Sequence, residues 1–298
     1  MSGPETRQES LAALRYLLVS VLMFGGVWPV TKHALQHATP LWFAFNRAGL
    51  AAVTVGLAMA VLGRLRLPAR ADLPSVFGIG LLQLGLFFAL THLALLFVPV
   101  GRTTILANVT IFWLIPLSVW LLGERVSPRR WVAAGIGLLG ALALMAPWTL
   151  LDLPRDAAGG LVLGYGLLLL ASLSWTFAIL ATRRFPPTRP IMELLPWSFA
   201  LGALLILPFA LLREPAGGIG WEALPHALFV GGIAAPIGTW ATTEAGRKLS
   251  GTLASLGFLL IPAFGVVLAA VWLGEPLGLD IWIGGALIVA SVWLAAKG

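Results

Sequence analysis

Chemistry in this chain is expected where polar side chains fall inside long apolar stretches, because hydrocarbon makes an unpaired polar group expensive. His92, beside Thr91 in one such stretch, could donate to a carboxylate or carry a proton. Asn108 and Thr110, shortly before Trp113, could satisfy an amine, and Gln83 and Thr243 offer further donors and acceptors. Each of these also has a plainer reading as a hydrogen bond between neighbouring helices. Trp113 and Trp175 lie deep in their stretches, one in each half of the chain. Two such rings could sandwich a flat apolar ligand, at about 1 kcal/mol per ring contact, and hold an amine cation over their faces. Trp28 and Trp240 are further candidates, Phe88 and Phe112 read as packing, and Trp42, Trp131, Trp148, Trp221, Trp282 and Trp293 read as interfacial anchors. Arg47 follows Asn46 part of the way along its stretch. It could bind a carboxylate, but snorkelling to the interface or pairing within the protein is the expectation.

The carboxylates narrow the chemistry. Of 12 acidic residues only Glu244 falls within a stretch, three residues from Arg247, where an ion pair along the helix accounts for it. The others, Glu5, Glu9, Asp72, Glu124, Asp152, Asp156, Glu193, Glu214, Glu222, Glu275 and Asp280, lie in tails, loops or at span ends. No midplane carboxylate is left to bind a cation and exchange it for a proton, which argues against antiport of cationic drugs. His33, His37, His92 and His226 are the only histidines, and neither an HExxH motif nor an aspartate pair is present. Ser118 and Ser255 have no evident base, there is no cysteine, and no glycine-rich phosphate loop with lysine occurs. Catalysis, ATP drive, a metal and a cofactor are therefore not expected. A sugar-phosphate cargo would call for several buried basic residues, and Arg47 stands alone.

The elements that must hold these residues follow from composition. The 298 residues are 59% hydrophobic and 10% charged, with mean hydropathy +0.95, against about a quarter charged in soluble domains. The chain reads as a membrane protein with no cleavable signal peptide. Its net charge of +7 comes from basic residues in the loops, so nucleic acid is not an expected partner. About 20 apolar residues span a ~30 Å hydrocarbon core. On that measure helices are predicted near 12–34, 40–62, 73–96, 100–122, 130–148, 159–181, 193–212, 222–246, 251–273 and 279–297. With both termini cytoplasmic, 14 of the 19 basic residues, from Arg7 to Lys297, fall on the inner side. Lys32, Arg102, Arg155 and Arg213 fall outside, and Arg47 lies within a span.

A shift of 151 residues lays the second half over the first without a gap. It takes Thr31 to Thr182, Lys32 to Arg183, Thr91 to Thr242, Ala94 to Ala245, Gly123-Glu124 to Gly274-Glu275 and Trp131 to Trp282. An odd number of spans per half turns the copies upside down, and matched loops do carry opposite basic bias: Arg64, Arg66 and Arg70 answer to Arg213 alone. The predicted fold is all-α: ten transmembrane helices as two inverted five-helix repeats, residues 1–150 and 151–298, around a central cavity. Inverted repeats of this kind mark secondary transporters.

The Trp28-Pro29 turn, Leu122-Gly123-Glu124, Leu273-Gly274-Glu275 and the glycines Gly135, Gly137, Gly140, Gly284 and Gly285 give the chain a family likeness. Over essentially its whole length it resembles the drug/metabolite transporter superfamily, specifically its ten-helix EamA-type exporters, and most of all the YddG-type exporters of aromatic amino acids. The resemblance implies that helices 1, 3, 4, 6, 8 and 9 surround the cavity while 5 and 10 support its base. It also implies a monomer in the inner membrane that rocks one half against the other. Pro29, Pro116, Pro236 and Pro262 are expected to interrupt helices 1, 4, 8 and 9 and act as hinges. The expected activity is facilitated export of small amphipathic metabolites, chiefly aromatic and large hydrophobic amino acids. Trp113 and Trp175 would grip the side chain, with His92 and Asn108 at the polar end. The alternatives are a multidrug or other metabolite exporter of the superfamily, a membrane receptor or scaffold, and an intramembrane enzyme.

Overall fold

Uninterrupted apolar sequence satisfies its own amides only as helix, and helix dominates the computed structural model of the chain. The structure describes residues 4–249 and 251–297, with their side chains except those of 4–10, 111, 152, 251, 252 and 255. Glu5, Arg7, Glu9, Asp152 and Ser255 therefore lie outside the described side chains. The helices are α1 (Pro4–Ala34), α2 (Pro40–Val61), α3 (Arg70–Ala94), α4 (Val100–Leu106), α5 (Ile111–Leu122) and α6 (Pro128–Met145). They continue with α7 (Arg155–Arg184), α8 (Ile191–Arg213), α9 (Trp221–Lys248), α10 (Gly251–Phe258), α11 (Leu260–Leu273) and α12 (Leu279–Ala296). Among the described residues nine helices are long and apolar enough to cross a membrane, with the shorter apolar Phe112–Leu122 besides. No strand forms among them; a single isolated bridge joins Ala38 and Ile219.

The stretch predicted as one helix over 100–122 is two, α4 and α5, separated at Ala107–Thr110. The cause is local competition for a carbonyl. The Asn108 side-chain amide donates to Thr104 O at 2.7 Å, the acceptor its own backbone N–H would use in a continuing helix. That N–H turns instead to Ile105 O at 3.0 Å. The second break, at Leu259, falls at the same place under the 151-residue shift. Of the four prolines expected at interruptions, Pro236 follows the π-helical segment of α9 where it returns to α-helix, and two of the others mark no break. Pro29 and Pro116 lie inside α1 and α5. Pro262 sits in the first turn of α11, where a missing N–H leaves no bond unmade.

Packing is tight where small residues let backbones meet. A Cβ on Gly80 would stand 2.8 Å from Ser198 O, and one on Gly202 would stand 3.0 Å from Gly85 N, so α3 and α8 touch main chain to main chain. Within α3, Gly78–Leu86 is π-helical, as is Leu228–Ala234 within α9. Glycines also bring α6 against α12. Cβ atoms on Gly140 and Gly284 would come within 3.0 Å of the opposite helix's backbone, whereas Gly135 meets nothing within 4 Å. Gly123 (φ 67°) and Gly274 (φ 68°) close α5 and α11 in the left-handed region. The next N–H groups, of Glu124 and Glu275, reach back to Ser118 O and Ala269 O at 3.3 and 3.2 Å. Elsewhere α1 packs on α9 and α11, α2 on α8, and α3 on α7 and α8.

Candidate substrate cavity and its closed end

The polar break and the π-helical segment of α3 face one cavity of about 550 Å³, within the range of small-molecule sites. Its wall is largely aromatic and aliphatic, with Phe24, Trp28, Phe87, Phe88, Trp175 and Phe199 among the rings. Phe87 meets Trp175 edge to face at 4.7 Å between centroids, so α3 and α7 present a fixed aromatic corner. Asn108 and Thr110 come from the break, Gln83 from the π-helical segment, and Thr239, Thr242 and Thr243 from α9. Thr239 and Thr243 hydroxyls bond back to carbonyls of their own helix, while Thr242 Oγ1 is buried without a partner. The lining extends to Thr182 near the end of α7 and Ile191 at the start of α8, so the cavity reaches the membrane face that also carries Arg183 and Arg184.

Trp28, Gln83, Asn108, Trp175 and Thr243 thus share one wall, and His92, Trp113 and Trp240 stand off it. His92 is fully buried against Phe43; its Nδ1 donates to Phe88 O at 2.5 Å, which leaves Nε2 an acceptor with no partner. Trp113 lies behind the wall with Nε1 donating to Ser172 Oγ on α7 at 3.0 Å. Trp240 is 43% exposed on the outer surface, edge-on to Tyr16. Helices α2 and α8 contribute lining residues, contrary to the expectation that helices 2 and 7 stay out of the cavity, while α6 and α12 contribute none.

Sequence reasoning undervalued Arg47. It neither snorkels nor pairs. The residue is 6% exposed, lines the cavity, and holds its guanidinium carbon 3.9 Å from the centre of the Phe88 ring. Its Nε has no hydrogen-bond partner, and no ion pair among the described residues involves it. A cation at membrane depth costs about 3 kcal/mol or more, and a desolvated cation–π contact returns about 2. Arg47 is the sole ionisable residue among those lining the cavity, so the cavity has a positive wall. Behind it α9 comes close to α2: a Cβ on Gly231 would stand 2.7 Å from Arg47 O, an approach between helices distant in sequence that the sequence does not signal.

Contacts join the two halves at both faces. On the cavity's side Asp72 accepts from the Thr188 N–H and hydroxyl at 2.6 and 2.8 Å, Arg189 donates to Leu67 O at 2.8 Å and Trp197 Nε1 donates to Arg66 O at 3.0 Å. The opposite face is bridged chiefly by two carboxylates. Glu214 accepts from the backbone amides of Leu41 and Trp42 at 3.1–3.2 Å, and Glu275 accepts from those of Val100 and Gly101 at 2.7 and 2.8 Å. Each carboxylate caps the N-terminus of a helix more than 170 residues away in sequence. Arg102 pairs with Asp280 at 2.8 Å and donates to Tyr165 OH at 2.9 Å, and Lys32 Nζ donates to Leu95 O.

The description of the EamA-like transporter family fits this chain twice, over residues 11–146 and 162–296. The chain is 26% identical to a probable amino-acid metabolite efflux pump of Salmonella typhimurium, over 94% of itself and 93% of that protein. It is 24% identical to a probable terminal-alkyne amino-acid exporter of Streptantibioticus cattleyicolor, over 93% and 91%. With the uncharacterized transporter YvbV of Bacillus subtilis it shares 27% identity over 98% and 92%. A protein crystal structure with TM-score 0.60 and 20% identity, covering 97% of each chain, has the same fold.

Proposed function

The chain belongs to the EamA-like transporter family, and from that premise we propose that it exports small amphipathic metabolites, chiefly aromatic and large hydrophobic amino acids. It is a multi-pass membrane protein of a transporter family within the drug/metabolite transporter superfamily, and not an enzyme. The observation that carries the substrate reading is the composition of the cavity wall. Trp28, Phe87 and Trp175 offer faces and edges to a flat side chain, while Gln83, Asn108 and Thr243 offer donors and acceptors to a polar end. His92 and Trp113 back this wall and hold its shape. The two similar proteins with amino-acid cargo in their names support the same class.

In this reading the chain is a YddG-type monomer in the inner membrane with both termini cytoplasmic. Ten crossings form two inverted five-helix halves, 1–150 and 151–298, and the broken fourth span, α4 and α5, counts as one crossing. The cavity then faces the cytoplasm, and the bridged end is the outer gate of an alternating-access cycle. No carboxylate lines the cavity among the described residues, which supports facilitated movement down the substrate gradient over proton-coupled exchange. The same feature disfavours a multidrug exporter of cations.

Counterflow into liposomes containing only this protein tests the reading. Vesicles preloaded with tryptophan, phenylalanine, alanine or a quaternary ammonium drug are expected to accumulate labelled aromatic amino acid without a pH gradient. Trp175→Ala should reduce the apparent affinity about tenfold, the equivalent of ~1.4 kcal/mol. Activity on the drug alone would overturn the amino-acid reading.

A further inference from the structure

We propose that Arg47 is the anion anchor of the cavity: it takes the carboxylate of the transported molecule, so that this chain selects carboxylate-bearing amphiphiles over amines of the same shape. The inference rests on the transport reading and goes beyond it, because it assigns the chemistry at one end of the cargo. A guanidinium that is buried, faces a cavity, and finds neither a carboxylate nor a carbonyl among the described residues has its donors available for a ligand. The Phe88 ring, 3.9 Å away, covers one face of the group and leaves its edge, where the donors lie, for a planar two-oxygen acceptor. The placement fits an amphiphile. Phe87 and Trp175 are neighbours of Phe88 in the wall, so a carboxylate at Arg47 leaves the rest of the molecule beside the aromatic corner.

The 151-residue shift makes the asymmetry plain. Arg47 corresponds to Ser198, whose hydroxyl bonds to Val76 O at 3.4 Å on the far side of the α3–α8 contact. Phe88 corresponds to Thr239, also in the wall. One half therefore supplies the charge and its aromatic cover, and the other supplies hydroxyls. A cargo bound across the two halves is oriented, carboxylate toward α2.

Three molecules with one ring system separate the possibilities: tryptophan, indole-3-propionate, which lacks the amine, and tryptamine, which lacks the carboxylate. Each competes against labelled substrate in proteoliposomes. The two acids are expected to compete at similar concentrations and tryptamine about tenfold more weakly. Arg47→Gln should erase that ratio by weakening the acids alone, and Arg47→Lys should restore part of it. Equal competition by tryptamine in the unaltered protein, which requires no variant to fold, overturns the anchor. So does equal weakening of all three ligands by Arg47→Gln. If no indole compound competes or moves, the aromatic cargo reading fails, and the anchor is then read from thermal stabilisation by hexanoate, norleucine and pentylamine. Stabilisation by the two acids, absent with pentylamine and lost in Arg47→Gln, keeps the anchor without the aromatic cargo. No stabilisation by either acid sinks it too.

Discussion

Glu275 and Glu124 stand in the same Leu-Gly-Glu setting at opposite ends of the molecule, each after a left-handed glycine, yet they are held very differently. Glu275 grips the amides of Val100 and Gly101 at 2.7 and 2.8 Å. Among the described residues Glu124 meets only Arg183, at 3.5 Å, with side chains 39% and 46% exposed. Lys32 and Arg183 are themselves matched by the 151-residue shift. Two equivalent carboxylates are therefore held unequally within a single structure. Glu275 lies at the end capped across the halves, and Glu124 lies where the cavity reaches the surface. Equivalent residues in unequal states are what a molecule that exchanges its two ends would display when caught at one of them.

The largest expected break in this comparison comes from Glu275→Ala. Two helix-terminal amides lose an ionised acceptor in a half-buried place, which should cost about 2–3 kcal/mol. Thermal unfolding of the detergent-solubilised protein measures it, with Glu124→Ala beside it expected to cost under about 0.5 kcal/mol. Equal losses would mean that the asymmetry carries no energy.

A second, smaller test sharpens what closes that end. Arg102 and Asp280 have side chains only 19% and 14% exposed, and Tyr165 OH adds a further acceptor for Arg102. A double-mutant cycle of Arg102→Ala and Asp280→Ala should return a coupling of about 1 kcal/mol, at the top of the range of exposed pairs. A coupling near zero would leave the two helix caps as the whole of the closure.

How much of this was legible beforehand depends on which coordinate of a helix the argument used. Depth along a span can be read from the sequence, and Trp28, Gln83, Asn108, Trp175 and Thr243, singled out by it, line the cavity. Rotation about the helix axis cannot be read from depth. Thr239 and Trp240 are consecutive, and a step of about 100° sends one to the wall and the other outward onto Tyr16. His92 and Trp113 are equally deep but are turned behind the lining. Arg47 differs: snorkelling is a sound default for a cation on a peripheral helix, and its place in the wall against Phe88 is a matter of tertiary packing that depth does not register. The α6–α12 contact was legible because glycine advertises close approach, whereas Glu214 and Glu275 cap helices far away in sequence and give no local sign. The break at Ala107–Thr110 depended on one side chain outcompeting its own backbone N–H for a carbonyl, a contest that apolar periodicity does not register.

The smallest effect on stability carries the most information about mechanism. Arg183 is half exposed and its pair is long, so Arg183→Ala should change unfolding by less than about 0.5 kcal/mol. In the oppositely facing state the same residue should be held on a main-chain carbonyl as Lys32 is here on Leu95 O, and removing it should penalise that state alone. The chain has no cysteine, so a single Val98→Cys at the bridged end reports opening there through its reaction with a membrane-impermeant maleimide. Val98 is fully buried in this structure, and its labelling rate follows the population in which that end is open. Glu275→Ala should speed the labelling and Arg183→Ala should slow it, about tenfold for a clasp worth ~1.4 kcal/mol. Opposite signs from two residues at opposite ends require one equilibrium that both ends share. Faster labelling in both variants, or none in either, would leave the two ends moving independently and remove the exchange between them.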